Sequence, residues 1–103
     1  MMMAFYRGGG RPEPLYVIET LMDKAARKLG MDGIELRRLN TVPASAMPYK
    51  TAVGAVYDCG DFPKNLEDAL SIADYNNLKA RKAEAAKRGK IVGFGVSNTV
   101  APR

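Results

Sequence analysis

Apolar side chains recur every three or four residues along 12–29, and this spacing predicts an amphipathic helix. Pro12 and Pro14 suit its first turn, where backbone N–H groups lack helical partners in any case. Acidic residues precede basic ones along the segment, which complements the helix dipole. Gly30 is well placed to end the helix. The predicted buried stripe consists of Leu15, Ile18, Met22, Ala25 and Leu29.

A second, short helix is predicted directly after this one. Asp32 is followed three residues later by Glu35, a pair that resembles a capping box, and Asn40 ends the segment. Its apolar side is formed by Ile34, Leu36 and Leu39.

Two more helices are predicted in the second half of the chain. Asp61 is the expected N-cap of a helix over roughly 62–73, and Asp74 is that of a helix over roughly 75–88 that ends at Gly89. The last helix is rich in Ala, Lys and Arg, so one of its sides must face solvent. The predicted buried side of the third helix comprises Phe62, Leu66, Ala69, Leu70 and Ala73.

Extended structure is predicted in two places. Tyr49–Ala52 and Ala55–Asp58 can pair as a small hairpin, and the alternation along 90–97 predicts a C-terminal strand that needs a partner from the hairpin or another chain. The predicted fold class is α+β and mostly helical, with about four helices, a hairpin and a terminal strand. We expect one small domain over 12–100, preceded by a glycine-rich loop at 1–11 that is flexible in isolation.

Composition excludes several kinds of chemistry. The 103 residues include no His and one Cys, so we expect no catalytic triad, no disulfide and no metal site built from these side chains. Val, Ile, Leu and Phe together number 22, which makes the core thin. No apolar run is as long as a membrane span and no signal peptide is recognisable, so we expect a cytoplasmic protein.

The net charge of +5 is concentrated in one segment. Residues 79–90 contain six Lys or Arg residues against Glu84, and the rest of the chain is balanced. This cluster is either a solvated helix face or a surface for an acidic partner. Because no aromatic platform or nucleic-acid motif accompanies it, we expect no nucleic-acid binding.

The segment Tyr6–Arg11 is the clearest candidate for binding chemistry. Its three glycines allow the backbone to approach a ligand closely, and its two arginines can bind an anion. A helix begins directly after it and adds a positive dipole end. A disordered terminus explains the composition equally well. Gly93–Ser97 resembles half of a dinucleotide fingerprint but has no helix after it, and Cys59 is expected to be structural.

Five blocks in order resemble the molybdopterin-binding large subunit of the xanthine dehydrogenase family, and most closely its carbon-monoxide-dehydrogenase-like group. The blocks are residues 6–13, 34–40, 47–51, 56–62 and 89–97. The resemblance extends over nearly the whole chain. It implies that the glycine loop lies beside a molybdenum cofactor, which the family holds through a pterin dithiolene rather than through His or Cys.

The resemblance assigns roles to single residues of the loop. It implies cofactor contacts for Arg7, Gly8, Gly9 and Gly10, and substrate contacts for Tyr6 and Arg11. Gly8 stands where carbon monoxide dehydrogenases carry a Cys, and Gly9 stands where xanthine dehydrogenases carry a stacking aromatic residue. We therefore expect neither carbon monoxide nor purine oxidation.

The resemblance also implies what this stretch lacks. The family subunit is several times longer, and no Glu here matches its general base. We therefore expect no catalytic residue, no cofactor bound to the chain alone and no activity alone. In the full-length context we expect a molybdenum-dependent oxidoreductase acting on a small substrate, with iron–sulfur and FAD subunits as partners. The alternative is a non-catalytic module that forms homo-oligomers or binds an acidic partner.

Overall fold

The computed structural model describes residues 10–100, which form two compact units. Unit 1 contains residues 10–40 and 96–100, and unit 2 contains residues 41–95. Within residues 10–100, four α-helices and one antiparallel hairpin confirm the predicted class, α+β and mostly helical. The single domain predicted over 12–100 stays a prediction.

Unit 1 consists mainly of α1 (Pro12–Leu29) and α2 (Gly33–Asn40). Gly30 adopts a left-handed conformation at φ 68°, and the N–H of Met31 donates to the carbonyl of Ala26 at 3.0 Å. This pattern is a common helix ending, and it confirms the predicted stop. Asp32 Oδ1 then accepts from the N–H of Ile34 at 2.8 Å and caps α2 as predicted.

The predicted buried stripe of α1 is confirmed at Leu15 and Met22, which are half-buried, and wrong at Ile18, Ala25 and Leu29. The side facing α2 holds the buried Ala26 and the half-buried Leu15, Glu19 and Met22, whereas Ile18 is exposed. Ala25 and Leu29 of the predicted stripe are also exposed. The difference arises because a polar side chain, Glu19, occupies the centre of the contact and binds an arginine of α2.

The hairpin of unit 2 is shorter than predicted. β1 (Tyr49–Lys50) pairs antiparallel with β2 (Val56–Tyr57), so that Tyr49 lies opposite Tyr57. The two rings stack at 6.3 Å between centroids, and Tyr57 also meets the ring of Phe62 edge-on at 5.5 Å. These ring contacts link the hairpin to the start of the next helix.

The core of unit 2 is formed by residues of its two helices, α3 (Phe62–Ile72) and α4 (Leu78–Lys87). Asp61 Oδ1 accepts from the N–H of Lys64 at 3.0 Å and confirms the predicted cap of α3. Of the five positions predicted to be buried, two are buried, Phe62 and Ala73 are half-buried, and Ala69 is exposed. The buried apolar residues of unit 2 are Leu66, Leu70, Leu78 and Ala85.

Two predictions for the second half of the chain are wrong. Asp74 does not cap a helix, because it adopts a left-handed conformation at φ 51° and its carboxylate accepts from the side chain of Asn77. Tyr75–Asn77 form a 3₁₀ turn, and α4 begins only at Leu78.

The C-terminal strand predicted over 90–97 does not form. The alternating pattern is present, but no backbone in the described part of the chain pairs with this segment, and a strand requires such a partner. Instead, the ring of Phe94 packs against Tyr75 with their centroids 5.1 Å apart.

Candidate cofactor-binding site

Only some of the predicted site residues lie within the part of the chain that the structure describes. Tyr6, Arg7, Gly8 and Gly9 lie outside the described residues. Gly10 and Arg11 lie within them, directly before α1. The site is therefore considered from these two residues and from the contacts that hold the helix behind them.

Gly10 forms an open, left-handed turn before the helix. Its φ is 78°, and no atom of residues 10–100 lies within 4 Å of the position that a Cβ would occupy. Arg11 is exposed, its carbonyl accepts from the N–H of Leu15 at 3.1 Å, and its side chain forms no ion pair with a described carboxylate. An open backbone beside an available guanidinium fits an anionic group such as a pterin phosphate.

The start of α1 contributes fewer hydrogen-bond donors than a helix N-terminus usually does. Pro12 and Pro14 have no N–H, so Glu13 is the only one of the first three helical residues with a donor. The carboxylate of Glu13 also adds a negative charge in this turn. Anion binding here therefore depends more on Arg11 and the preceding loop than on helix N–H groups.

The guanidinium of Arg37 fixes α1 against α2. Arg37 is 6% exposed, and its Nε and Nη2 donate to Glu19 Oε2 at 2.9 and 2.6 Å. Its Nη1 donates to Asp23 Oδ1 at 2.9 Å and to the carbonyl of Gly33 at 3.0 Å. Burial favours a lower pKa for Arg37, but the hydrogen bonds to Glu19 and Asp23 outweigh it and raise the pKa.

Glu19 also connects these helices to the returning chain. Its second carboxylate oxygen, Oε1, accepts from the N–H of Asn98 at 3.0 Å. One carboxylate thus holds α1, α2 and segment 96–100 together within unit 1. The helix that follows the glycine loop is thereby fixed at its middle by charge-assisted hydrogen bonds.

Sequence reasoning missed this network although the sequence contains a signal for it. Glu19 lies between Leu15 and Met22 at helical spacing, and Arg37 lies three residues after the buried Ile34. Each helix therefore has one charged residue on its apolar side, and the two charges are opposite. Such a pair predicts a buried ion pair.

The remaining candidates do not form a second site. Cys59 is exposed, and Gly93–Ser97 is not followed by a helix among residues 10–100. No group of three His, Cys, Asp or Glu side chains suited to a metal occurs in the described chain. Across those same residues, no helix is both long enough and apolar enough to span a bilayer.

Comparison with known proteins shows which kind of domain this part of the chain resembles. Residues 1–41 match the family model of the molybdopterin cofactor-binding domain, which includes the loop and both helices of unit 1. The class is thus that of molybdopterin-dependent proteins.

Similar proteins narrow this class to one family. The chain is 35% identical over 91 residues to the carbon monoxide dehydrogenase large chain of Afipia carboxidovorans, covering 82% of this chain and 11% of that protein. It is 35% identical over 95 residues to the nicotine 6-hydroxylase large subunit of Paenarthrobacter nicotinovorans, covering 92% and 11%. A solved structure of reconstituted CO dehydrogenase from Oligotropha carboxidovorans matches with a TM-score of 0.63 and 33% identity over 76% of this chain and 10% of that one.

The chain belongs to the xanthine oxidase family of molybdenum hydroxylases and corresponds to a fragment of their large subunit. It spans about one tenth of the length of the curated relatives that it matches.

Proposed function

We propose that this chain provides the cofactor-facing loop of a molybdenum hydroxylase and the helical support behind that loop. The observation that carries the proposal is the direct succession of Gly10, Arg11 and α1 within the molybdopterin-domain match, with α1 held by Arg37. A loop attached to a fixed helix presents its backbone and guanidinium groups in a reproducible position.

In this role the residues of the chain bind and orient. Arg7 and Arg11 contact the anionic parts of the cofactor, and Gly8, Gly9 and Gly10 allow the backbone to approach it. Tyr6 and Arg11 face the substrate. The bound cofactor supplies the oxidation of a small substrate, with water as the source of oxygen.

The loop requires groups from polypeptide outside this chain. The remaining cofactor contacts and the general base come from other segments of a large subunit, so the chain alone is inactive. Its proposed partners are iron–sulfur and FAD subunits, and its proposed compartment is the cytoplasm.

A chimera tests this role. The aligned segment of the Afipia carboxidovorans large chain is replaced by this chain, and the purified protein is analysed for molybdenum and pterin. We expect close to one of each per chain. The variant Arg7→Ala/Arg11→Ala should lose most of both, because two cationic contacts to an anionic cofactor are removed.

The matched control is Arg88→Ala, which removes an exposed arginine after α4. It should keep its molybdenum and pterin. Full cofactor content in the Arg7→Ala/Arg11→Ala chimera would contradict the proposal.

A second candidate function is a non-catalytic partner-binding module. The observation that favours it is the exposed cationic surface of α4, where Lys79 and Lys82 lie among the six cations of residues 79–90. Glu84 is the one carboxylate of this segment, and it lies 3.6 Å from Lys87 Nζ. A stable, molybdenum-free oligomer of this chain that Lys79→Glu/Lys82→Glu disrupts would support this role.

A further inference from the structure

Helix α1 carries more apolar surface than unit 1 covers. Four of its large apolar side chains lie 54–65% exposed, although the helix is packed against α2 on another side. These residues are Val17, Ile18, Leu21 and Leu29. Together with the exposed Ala25 they form the surface that we name the open face of α1.

The open face is a continuous strip rather than a set of scattered residues. At about 100° per residue, its members fall within an arc of about 120° on the helix. The side that contacts α2 occupies the next arc, around Ala26. An apolar strip at least about 100° wide normally faces a packed core, so α1 has the pattern of a helix with two packing neighbours.

We propose that the open face of α1 docks onto an apolar surface of the remaining large-subunit polypeptide. This inference rests on the proposed function and names the partner of the segment. About nine tenths of the matched relatives lie outside the aligned region, so such a subunit contains ample polypeptide to cover the strip. A contiguous exposed apolar patch on a small unit marks an interaction surface.

Charges beside the strip define the chemistry of the partner further. Lys24 and Lys28 lie along one edge of the open face, both are exposed, and neither forms an ion pair with a described residue. The docking surface should therefore be apolar at its centre. It should carry carboxylates where it meets the C-terminal half of α1.

The test compares Leu21→Lys with Tyr16→Lys. Leu21 lies near the centre of the open face, whereas Tyr16 lies outside it, on the opposite side of the same helix, and is 74% exposed. In the 103-residue chain both variants should fold with helix content close to that of the unchanged chain, because neither side chain is buried there. In the chimera, Leu21→Lys should reduce the soluble yield by about tenfold or more, since a lysine would be buried at the contact. Tyr16→Lys should leave that yield unchanged.

Four outcomes would contradict the inference, and a fifth separates it from the proposed function. Equal yields for the Leu21→Lys and unchanged chimeras would show that nothing covers the strip. Equal losses of soluble yield for Leu21→Lys and Tyr16→Lys would show that the effect does not depend on the open face. An insoluble unchanged chimera would show that docking fails. A discrete dimer of the isolated chain that Leu21→Lys dissociates would assign the strip to a second copy. A soluble chimera without molybdenum that still responds to Leu21→Lys would refute the proposed function and leave the docking surface standing.

Discussion

Arg37 directs both Nε and Nη2 to one oxygen of Glu19, at 2.9 and 2.6 Å, across eighteen residues of chain. The side chain of Arg37 is 7% exposed and that of Glu19 is 18% exposed. Because the pair is mostly removed from solvent, loss of one member leaves a poorly solvated charge behind. Loss of either residue should therefore destabilise unit 1 more than loss of an ordinary surface ion pair would.

Replacing Arg37 with Ala should lower the free energy of unfolding by about 2–3 kcal/mol. The substitution removes the hydrogen bonds that join α1 to α2 and strands the Glu19 carboxylate. Urea denaturation followed by circular dichroism measures the effect. Arg38→Ala is the matched control, because Arg38 pairs with Glu35 on the surface. This substitution should lower the free energy of unfolding by no more than about 0.5 kcal/mol. Similar losses for both variants would contradict the burial argument.

The contribution of Arg37 should not change between neutral pH and about pH 10. Burial favours a lower pKa for Arg37, but its hydrogen bonds to Glu19 and Asp23 raise it overall above an already high ordinary value. A raised pKa stabilises the folded state below the ordinary pKa, and this stability is lost only as pH rises through the raised one. The difference between unchanged and Arg37→Ala chains, measured by urea denaturation at both pH values, should therefore stay the same. A steady decrease of that difference across this range would show that a group other than Arg37 titrates and controls the strength of the pair.

Replacing Asp61 with Ala should destabilise unit 2 by about 1 kcal/mol. Asp61 Oδ1 accepts the N–H of Lys64, and without it this donor at the start of α3 loses its partner. Asp61→Asn retains an accepting oxygen and should recover most of the loss in the same thermal unfolding experiment. If Asn behaved like Ala, the charge rather than the hydrogen bond would account for the effect.

Replacing Gly60 with Ala should cost about 1–3 kcal/mol. Gly60 has φ 143°, and an added Cβ would lie 3.0 Å from Cε1 of Phe62. The ring packs against Tyr57, so it is not free to move away. Gly93→Ala is the control, because no atom of the described residues lies within 4 Å of its Cβ position and its φ lies outside the left-handed region. Its unfolding midpoint should match or slightly exceed that of the unchanged chain.

Replacing Leu66 with Ala should cost about 2–4 kcal/mol, because it opens a cavity in the core of unit 2. Leu66 is 2% exposed, whereas Ile72 at the end of the same helix is 88% exposed. Ile72→Ala should therefore change the free energy of unfolding by less than about 0.5 kcal/mol. Equal effects in chemical denaturation would place the core elsewhere.

The predictable parts of this fold depend on residues close together in the chain. Gly30, Asp32 and Asp61 end or begin helices through bonds that reach only a few residues, so their roles are readable from sequence. Asp74 has the same residue type as Asp61 but adopts a left-handed conformation and bonds Asn77 instead. Residue type alone does not distinguish these two conformations.

The parts that sequence reasoning missed depend on distant neighbours. The buried side of α1 is set by Arg37, whose position in space is not encoded within that helix. The strand predicted over 90–97 fails because strand formation depends on a paired neighbour, which alternation alone does not supply. In the candidate site, the glycine–arginine pattern is recognisable from the sequence. The Arg37–Glu19 pair behind it depends on a contact between two helices, so the sequence of neither helix alone reveals it.

The hydrogen bond from the Asn98 N–H to Glu19 spans 79 positions of the chain and completes unit 1. Unit 1 is thus discontinuous in sequence, with all of unit 2 inserted between Asn40 and Val96. Closing a long unfolded loop costs conformational entropy, and that cost falls when the intervening residues are already compact. We therefore expect α1 and α2 to associate early, and the final segment to join them once the inserted unit has folded.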